Sequence, residues 1–222
     1  WKYMFLVILL ILPVVGLVGS NNLSTAIIIL GIAVILIFVA SPKYAQFALM
    51  GIAGACFMGI FLALESYRLE RLAIWRNPEK YEKGYQTLQG LYAIGSGGVF
   101  GVGIGNSVQK LGFVPEAQND MIFSIICEEL GLAGAGIIVF LFLLLIWRFF
   151  LIASGSRDLF GALIATGAMA HMMIQVILNI AVVTNTIPNT GITLPFISYG
   201  GTSVMFLLIE MGLVLSVSQV VD

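Results

Sequence analysis

Val114-Pro115-Glu116-Ala117-Gln118-Asn119-Asp120-Met121-Ile122-Phe123 joins a long polar segment to a strongly apolar run spanning 121–147. Pro115 cannot continue a regular helix, whereas Asn119 and Asp120 are residues that favour a helix N-cap. A run of this length exceeds the ~20 apolar residues that cross a bilayer core. The stretch therefore delivers a carboxylate, Asp120, to the mouth of a helix at the edge of a membrane.

Five further apolar runs surround it, at 3–19, 23–40, 45–64, 159–181 and 202–220. The fold class expected is all-α and polytopic, with six transmembrane helices in a single domain over 1–222 and one long loop at 65–119 outside the membrane. Composition agrees. Of the 222 residues, 60% are hydrophobic and 9% charged, against ~25% charged in a soluble domain; mean hydropathy is +1.07. A net charge of −1 gives no reason to expect a nucleic-acid partner. Cys56 and Cys127 both lie inside apolar runs and read as packing residues. The apolar pattern starts at once after Trp1, which suggests a piece of a longer protein.

Orientation draws two opposing votes. If the first helix leaves side A, the short side-A loops hold Lys2, Lys43, Arg148 and Arg157, and the short side-B loops hold no Lys or Arg. That makes side A cytoplasmic. The long segment on side B carries six Lys or Arg, which argues the other way.

The long segment has three parts. Glu65 to Lys83 alternates in charge, Tyr85 to Ile94 has the pattern of a short amphipathic helix, and glycines follow at 95, 97, 98, 101, 103 and 105. Backbone N–H groups among glycines can cradle an anion. Without a strand–turn–helix unit around them, however, they read more readily as a turn or a re-entrant element at the membrane face. Asp120 is open to two readings, a plain helix cap or a carboxylate that acts as a base or metal ligand and is stabilised by the helix dipole. Glu128 and Glu129 lie two turns deeper, where carboxylates rarely face lipid. His171, Gln175 and Asn179 recur every four residues and form one polar stripe, either interhelical hydrogen bonding or the wall of a cavity. Ala162, Thr166 and Ala170 form a small-residue stripe suited to close approach of another helix. His171 and Glu210 fall at similar depth on consecutive antiparallel helices and are expected to pair.

Several strings occur together in order. They are Tyr67-Arg68-Leu69-Glu70-Arg71, Asn77-Pro78-Glu79, Gly84-Tyr85-Gln86, Ala93-Ile94-Gly95-Ser96-Gly97-Gly98, Gly105-Asn106-Ser107-Val108-Gln109-Lys110, Pro115-Glu116 to Asp120, Glu128-Glu129-Leu130-Gly131 and Thr190 to Gly201. This set resembles the SEDS family (FtsW, RodA, SpoVE), with the Asn-Ser-Val-Gln-Lys string nearer the division and sporulation branch. The resemblance implies ten transmembrane helices, of which these six would be the last, and an extracellular long loop. It implies a multi-pass protein of the bacterial plasma membrane, at the division septum for the FtsW branch. The implied activity is peptidoglycan glycosyltransfer, in which lipid II is polymerised into a growing glycan strand. The implied partners are a class B penicillin-binding protein, held through its transmembrane helix, and other division proteins. The family's catalytic Asp falls on Asp120. Two positions depart from the usual pattern: Gln118-Asn119 stands where His-Thr is common, and Asn21-Asn22 where Pro-Asp is common.

Glycosyl transfer needs a base for the attacking hydroxyl and positive charge for the leaving diphosphate. Asp120 is the expected base. Arg71 and Lys110 are the expected cations by proximity in the chain, with the glycine turn as a source of N–H donors. A divalent ion, Mg or Mn, is a further expectation, with Asp120 a candidate ligand. Gln109, Glu116 and Ser198 from the matched strings, and Gln175 and Asn179 from the polar stripe, complete the expected substrate contacts. Two rival functions are a flippase for the lipid-linked precursor and a non-catalytic scaffold for the penicillin-binding protein.

Overall fold

The computed structural model describes residues 2–41, 51, 54 and 66–219, the side chains of 2–8, 21 and 66–69 excepted. Apart from Gly51 and Gly54, the expected apolar run at 45–64 lies outside the described residues, as do Lys43 and Cys56. Seven α-helices and no strand occur among them: α1 Lys2–Asn21, α2 Leu23–Ala40, α3 Ser66–Arg76, α4 Tyr85–Gly97, α5 Ile122–Gly155, α6 Leu159–Val183 and α7 Gly201–Ser218. Four of these, α2, α5, α6 and α7, are long and apolar enough to cross a membrane. In α1 the apolar stretch with described side chains is Leu9–Ser20, and Pro13 lies within the helix without ending it. The protein is an all-α, polytopic membrane protein.

The boundaries follow local chemistry. α1 and α2 are separated by Asn22 alone, whose extended backbone ends one helix while its side chain accepts from Thr25 N at 3.1 Å to cap the next. Asp158 caps α6 in the same way, accepting from Gly161 N at 3.0 Å. The 65–119 segment is more ordered than a loop. It holds α3, α4 and three short 3₁₀ turns at Pro78–Lys80, Glu82–Gly84 and Gln109–Leu111.

By its contacts the chain divides into two compact units. One comprises the described parts of Trp1–Ile60, Ile146–Ile174 and Phe206–Asp222; the other comprises those of Phe61–Leu145 and Gln175–Met205. The division follows from helix length, because α5 and α6 are long enough to contribute to both. In the first unit small residues let helices approach. Ala26, Ala33, Ala165, Thr166 and Ala170 are buried, the Ile174 side chain lies over Gly31, and Leu36 lies beside Gly167. Thr166 and Ala170 are thus covered within the chain, so the small-residue stripe serves internal packing.

In the second unit α5 is broken. Gly131 has φ 68 and ψ −173 within an otherwise helical run, a conformation that strongly favours glycine. The break strands the carbonyls of Glu128 and Glu129 and the amides of Leu132 and Ala133. The glycine-rich segment after α4 satisfies all four. Val102 N donates to Glu128 O (2.9 Å) and Gly103 N to Glu129 O (3.0 Å), while Leu132 N donates to Gly98 O and Ala133 N to Val99 O, both at 3.0 Å. Glycine is required for the approach, since a Cβ on Gly97 would strike the Cys127 carbonyl and one on Gly101 the Glu129 carbonyl. The glycine cluster is therefore a backbone splint for a broken membrane helix. Its amides at Gly101, Val102 and Gly103 are already bonded, so they do not form the anion cradle considered from sequence.

Candidate active site

Asp120 stands at the end of a tight turn. Glu116 adopts φ 54, in the left-handed region, directly after Pro115, and its carbonyl accepts from both Asn119 N (2.9 Å) and Met121 N (3.4 Å). α5 begins at Ile122, so Asp120 lies upstream of the cap position expected for it, and its carboxylate is left for other contacts. Three successive carbonyls of this turn are clamped. Tyr199 N donates to Gln118 O at 2.8 Å, Ser198 Oγ to Asn119 O at 2.7 Å and Asn179 Nδ2 to Asp120 O at 2.8 Å. Asn179 is fully buried and also donates to Ile192 O (2.6 Å), and Ser198 accepts from Leu194 N (2.7 Å). Gln175 donates to Thr193 Oγ1 at 3.3 Å. Asn179 and Ser198 thus hold the backbone that carries Asp120, whereas Gln175 holds the Thr193 side chain. The amide oxygens of Gln175 and Asn179 are buried without a bonded partner.

The Asp120 carboxylate, 8% exposed, faces a cleft of about 300 Å³ lined by Arg71, Trp75, Lys83, Gln86, Thr87 and Asn189, among others. Gln86 Nε2 lies 3.4 and 3.5 Å from its two oxygens, and Gln86 Oε1 accepts from Asn189 Nδ2 at 3.1 Å. Arg71 donates to Asn189 O at 3.4 Å. Lys83 pairs with Glu70 at 3.0 Å, with both side chains largely exposed, so little energy holds that pair closed. Gly191, with φ 69, lies directly against the carboxylate. Burial raises the Asp120 pKa above the usual carboxylate value, and the neighbouring Glu116 charge adds to the rise; hydrogen bonds from its own amide, Gln86 and Met121 oppose it. The carboxylate is therefore a stronger base than a solvated aspartate.

The remaining expected residues lie elsewhere. Lys110 is ion-paired with Glu129 at 2.6 Å, and a second cleft of about 580 Å³ is lined by Lys110, Leu111, Val114, Glu116 and Gln118, among others. Glu128 accepts from Ser107 Oγ and from Val108 N (3.2 Å). Glu116 accepts from Asn119 Nδ2 through a side chain that is otherwise exposed. Gln109 lies in the 3₁₀ turn beside Lys110, with its Oε1 buried and unbonded. Structure thus brings Arg71 to Asp120 and leaves Lys110 as the partner of Glu129. Lys83, Gln86 and Asn189 are site residues that sequence reasoning missed. Gln86 and Lys83 sit in and beside a quoted string, Gly84-Tyr85-Gln86, which was the available signal. Asn189 lies 103 residues from the Gln86 it bonds, and nothing local marks it.

His171 and Glu210, in the first unit, pair as expected, with Nδ1 2.9 and 3.0 Å from the two carboxylate oxygens.

The comparisons with known proteins agree with this architecture. The family described as "Cell cycle protein", FtsW/RodA/SpoVE, matches residues 1–222. Stage V sporulation protein E of Bacillus subtilis (strain 168) is 42% identical over 93% of this chain and 59% of its own length. A probable peptidoglycan glycosyltransferase FtsW of Coxiella burnetii is 40% identical over 89% of this chain and 54% of its own. The chain thus spans little more than half the length of these relatives. Among solved structures, one described as "Structural coordination of polymerization and crosslinking by a peptidoglycan synthase complex" superposes with a TM-score of 0.78 at 28% identity, covering 96% of this chain and 61% of that one. The rod shape determining protein RodA of Thermus thermophilus gives 0.64 at 28% identity, covering 96% and 56%. With the family pattern matched from the first residue to the last, and the broken helix, clamped turn and buried carboxylate in one chain, this protein belongs to the FtsW/RodA/SpoVE family of cell cycle proteins.

Proposed function

We propose that the protein containing this chain is a peptidoglycan glycosyltransferase that polymerises lipid II, with Asp120 as general base. The observation that carries this reading is a buried, basic carboxylate sharing one cleft with Arg71 and Lys83. In the proposed step the Asp120 carboxylate takes the proton of the acceptor sugar hydroxyl. That oxygen bonds to the anomeric carbon of the growing strand, and the bond from that carbon to the lipid diphosphate breaks. The diphosphate leaves with the electron pair, and its charge meets Arg71 and Lys83. Lys83 would exchange Glu70 for the diphosphate at little cost, because that pair is exposed. Gln86 orients the carboxylate, and Asn189 holds Gln86.

Among the described residues no group of three or more Asp, Glu, His or Cys converges. Mg²⁺ and similar ions are held by one or two carboxylates together with substrate phosphates, and Asp120 beside a bound diphosphate fits that set. Such an ion, Mg or Mn, would supply charge neutralisation at the diphosphate.

By analogy with the relatives, the setting is the bacterial plasma membrane, at the septum, in complex with a class B penicillin-binding protein and other division proteins. The crosslinking named for one structural relative supports such a partner. The long segment would be extracellular, where lipid II is consumed. The test is a polymerisation assay with the full-length protein, its partner and lipid II. Asp120→Asn preserves size, and base catalysis contributes about 10²–10⁴ in rate. A drop of that order in glycan formation with intact folding is expected. Near wild-type polymerisation by the Asn variant would exclude Asp120 as the base, and no glycan from the wild-type protein would favour transport or scaffolding.

A further inference from the structure

The break at Gly131 divides α5 into parts of opposite character. Before it the helix is enclosed by protein, with Phe123, Ser124, Ile125, Cys127 and Glu128 buried. After it large apolar side chains face outward, among them Leu132, Ile137, Phe140, Leu141 and Leu144. Residues 132–155 make ~36 Å of helix at 1.5 Å per residue, enough alone to cross a hydrocarbon core of ~30 Å. The hydrocarbon boundary on the Asp120 side thus falls at the break.

The segment 98–113 is held at that same level by its four backbone bonds to Glu128, Glu129, Leu132 and Ala133. Large apolar side chains cover its outer surface: Phe100 is 85% exposed and Ile104 81%, with Val99, Val108, Leu111 and Phe113 also exposed. Two of its polar side chains point inward, whereas Asn106 is exposed and bonds the segment's own Val102 carbonyl at 3.2 Å. Ser107 binds Glu128, and Lys110, the one charged residue of the segment, binds Glu129. The amides of Gly101, Val102, Gly103 and Asn106 donate to protein carbonyls, which lowers the cost of taking this backbone out of water. Val99 O accepts from Ala133 N, so the segment continues the lipid-facing surface of α5 sideways without a gap. Contiguous exposed apolar surface of this kind marks a contact with membrane or protein, and continuity with a spanning helix selects membrane.

We infer that residues 98–113 form a membrane-dipping anchor, with the Phe100 and Ile104 side chains in the acyl region of the leaflet on the Asp120 side. The anchor sets the height of the site. Ile122–Gly131 spans ~15 Å, whereas the headgroup layer is roughly 5–7 Å thick on each side. On the glycosyl-transfer reading, the acceptor's lipid diphosphate would rest at headgroup level while its sugar hydroxyl reaches Asp120.

The test needs no activity measurement, so its failure is separable from failure of that reading. Full-length protein, with Cys56 and Cys127 replaced by Ala, is placed in nanodiscs of phosphatidylethanolamine and phosphatidylglycerol. Nitroxide is attached singly at Phe100→Cys and Ile104→Cys. Leu132→Cys serves as the lipid reference and Glu82→Cys as the aqueous one. Relaxation by oxygen and by a water-soluble nickel chelate is compared. The anchor requires both positions to match Leu132, accessible to oxygen and shielded from nickel. Nickel access like that at Glu82 would place the segment in water, and shielding from both reagents would place it under protein; either overturns the proposal. Nickel access at Leu132 itself would remove the boundary and the proposal with it. The two labels report independently, so a label that disturbs one position leaves the other to decide.

Discussion

Two of the polar constellations among the described residues, those around Asp120 and around His171, are built on opposite plans. Around Asp120, side chains spend their hydrogen bonds on backbone: Asn179, Ser198 and Gln86 hold carbonyls at 120, 192, 119 and 115. That leaves the Asp120 carboxylate facing a cleft with cations at its rim. In the first unit, His171 and Glu210 spend theirs on each other. The first plan fixes a reactive group by immobilising the chain that bears it. The second satisfies two ionisable groups and ties α6 to α7. A carboxylate open to a cleft beside cations is what chemistry requires, whereas a mutually satisfied pair is what a membrane interior requires.

The contrast is broken most forcefully by cations. Arg71→Ala and Lys83→Ala should each lower kcat on the order of 10²-fold, as loss of one stabilising donor does. Lys110→Ala should leave kcat near wild type while lowering the thermal midpoint through loss of the Glu129 pair. A polymerisation assay beside a melting curve separates these outcomes. Equal kcat in all three variants would mean that the Asp120 cleft does not receive the diphosphate.

Asn179→Ala should cost roughly 1–3 kcal/mol for each of the two carbonyls it leaves unpaired. Polymerisation should fall together with stability, because Asp120 loses its ledge. A variant that melts normally yet polymerises poorly would return Asn179 to the substrate contacts.

The His171–Glu210 pair should show the smaller, structural signature. A double-mutant cycle of His171→Ala and Glu210→Ala read by thermal stability is expected to give a coupling of about 0.5–2 kcal/mol, with polymerisation retained in proportion to folded protein. Loss of activity at unchanged stability would place the pair in the mechanism and dissolve the contrast.

The smallest effect sharpens the first plan. Asp120 must be ionised to act as base, and the Glu116 charge helps raise its pKa. Glu116→Gln should therefore lower that pKa and move the acid limb of the pH–rate profile to lower pH. An unmoved limb would mean that another group titrates. The sign for stability is opposite to that for activity. A carboxyl whose pKa is raised on folding binds protons more readily in the native state, so its contribution to stability declines as pH rises from the usual carboxylate value to the raised one. Asp120→Asn should accordingly keep or raise the melting temperature at neutral pH while activity is lost.

Much of this was legible in the residues alone. Apolar runs marked α1, α2, α5, α6 and α7 to within a few residues at most boundaries, because burial in lipid demands unbroken apolar length and leaves a signal no local propensity can hide. The C-terminal end of α5 was the exception, continuing to Gly155 past Trp147. Asp120 stood out because a proline turn and a helix start bracket it. The His171–Glu210 pair followed from counting rise per residue. The break at Gly131, the splint that mends it, and the place of Lys83 in the lining of the Asp120 cleft did not follow from the sequence. Each depends on which backbone groups two distant segments present to one another. The sequence by itself determined which segments enter the membrane and which carboxylate stands at its edge. Only the tertiary structure decided what surrounds that carboxylate, because hydrogen bonds between residues such as Gln86 and Asn189 are set by packing geometry, to which neighbours in sequence contribute nothing.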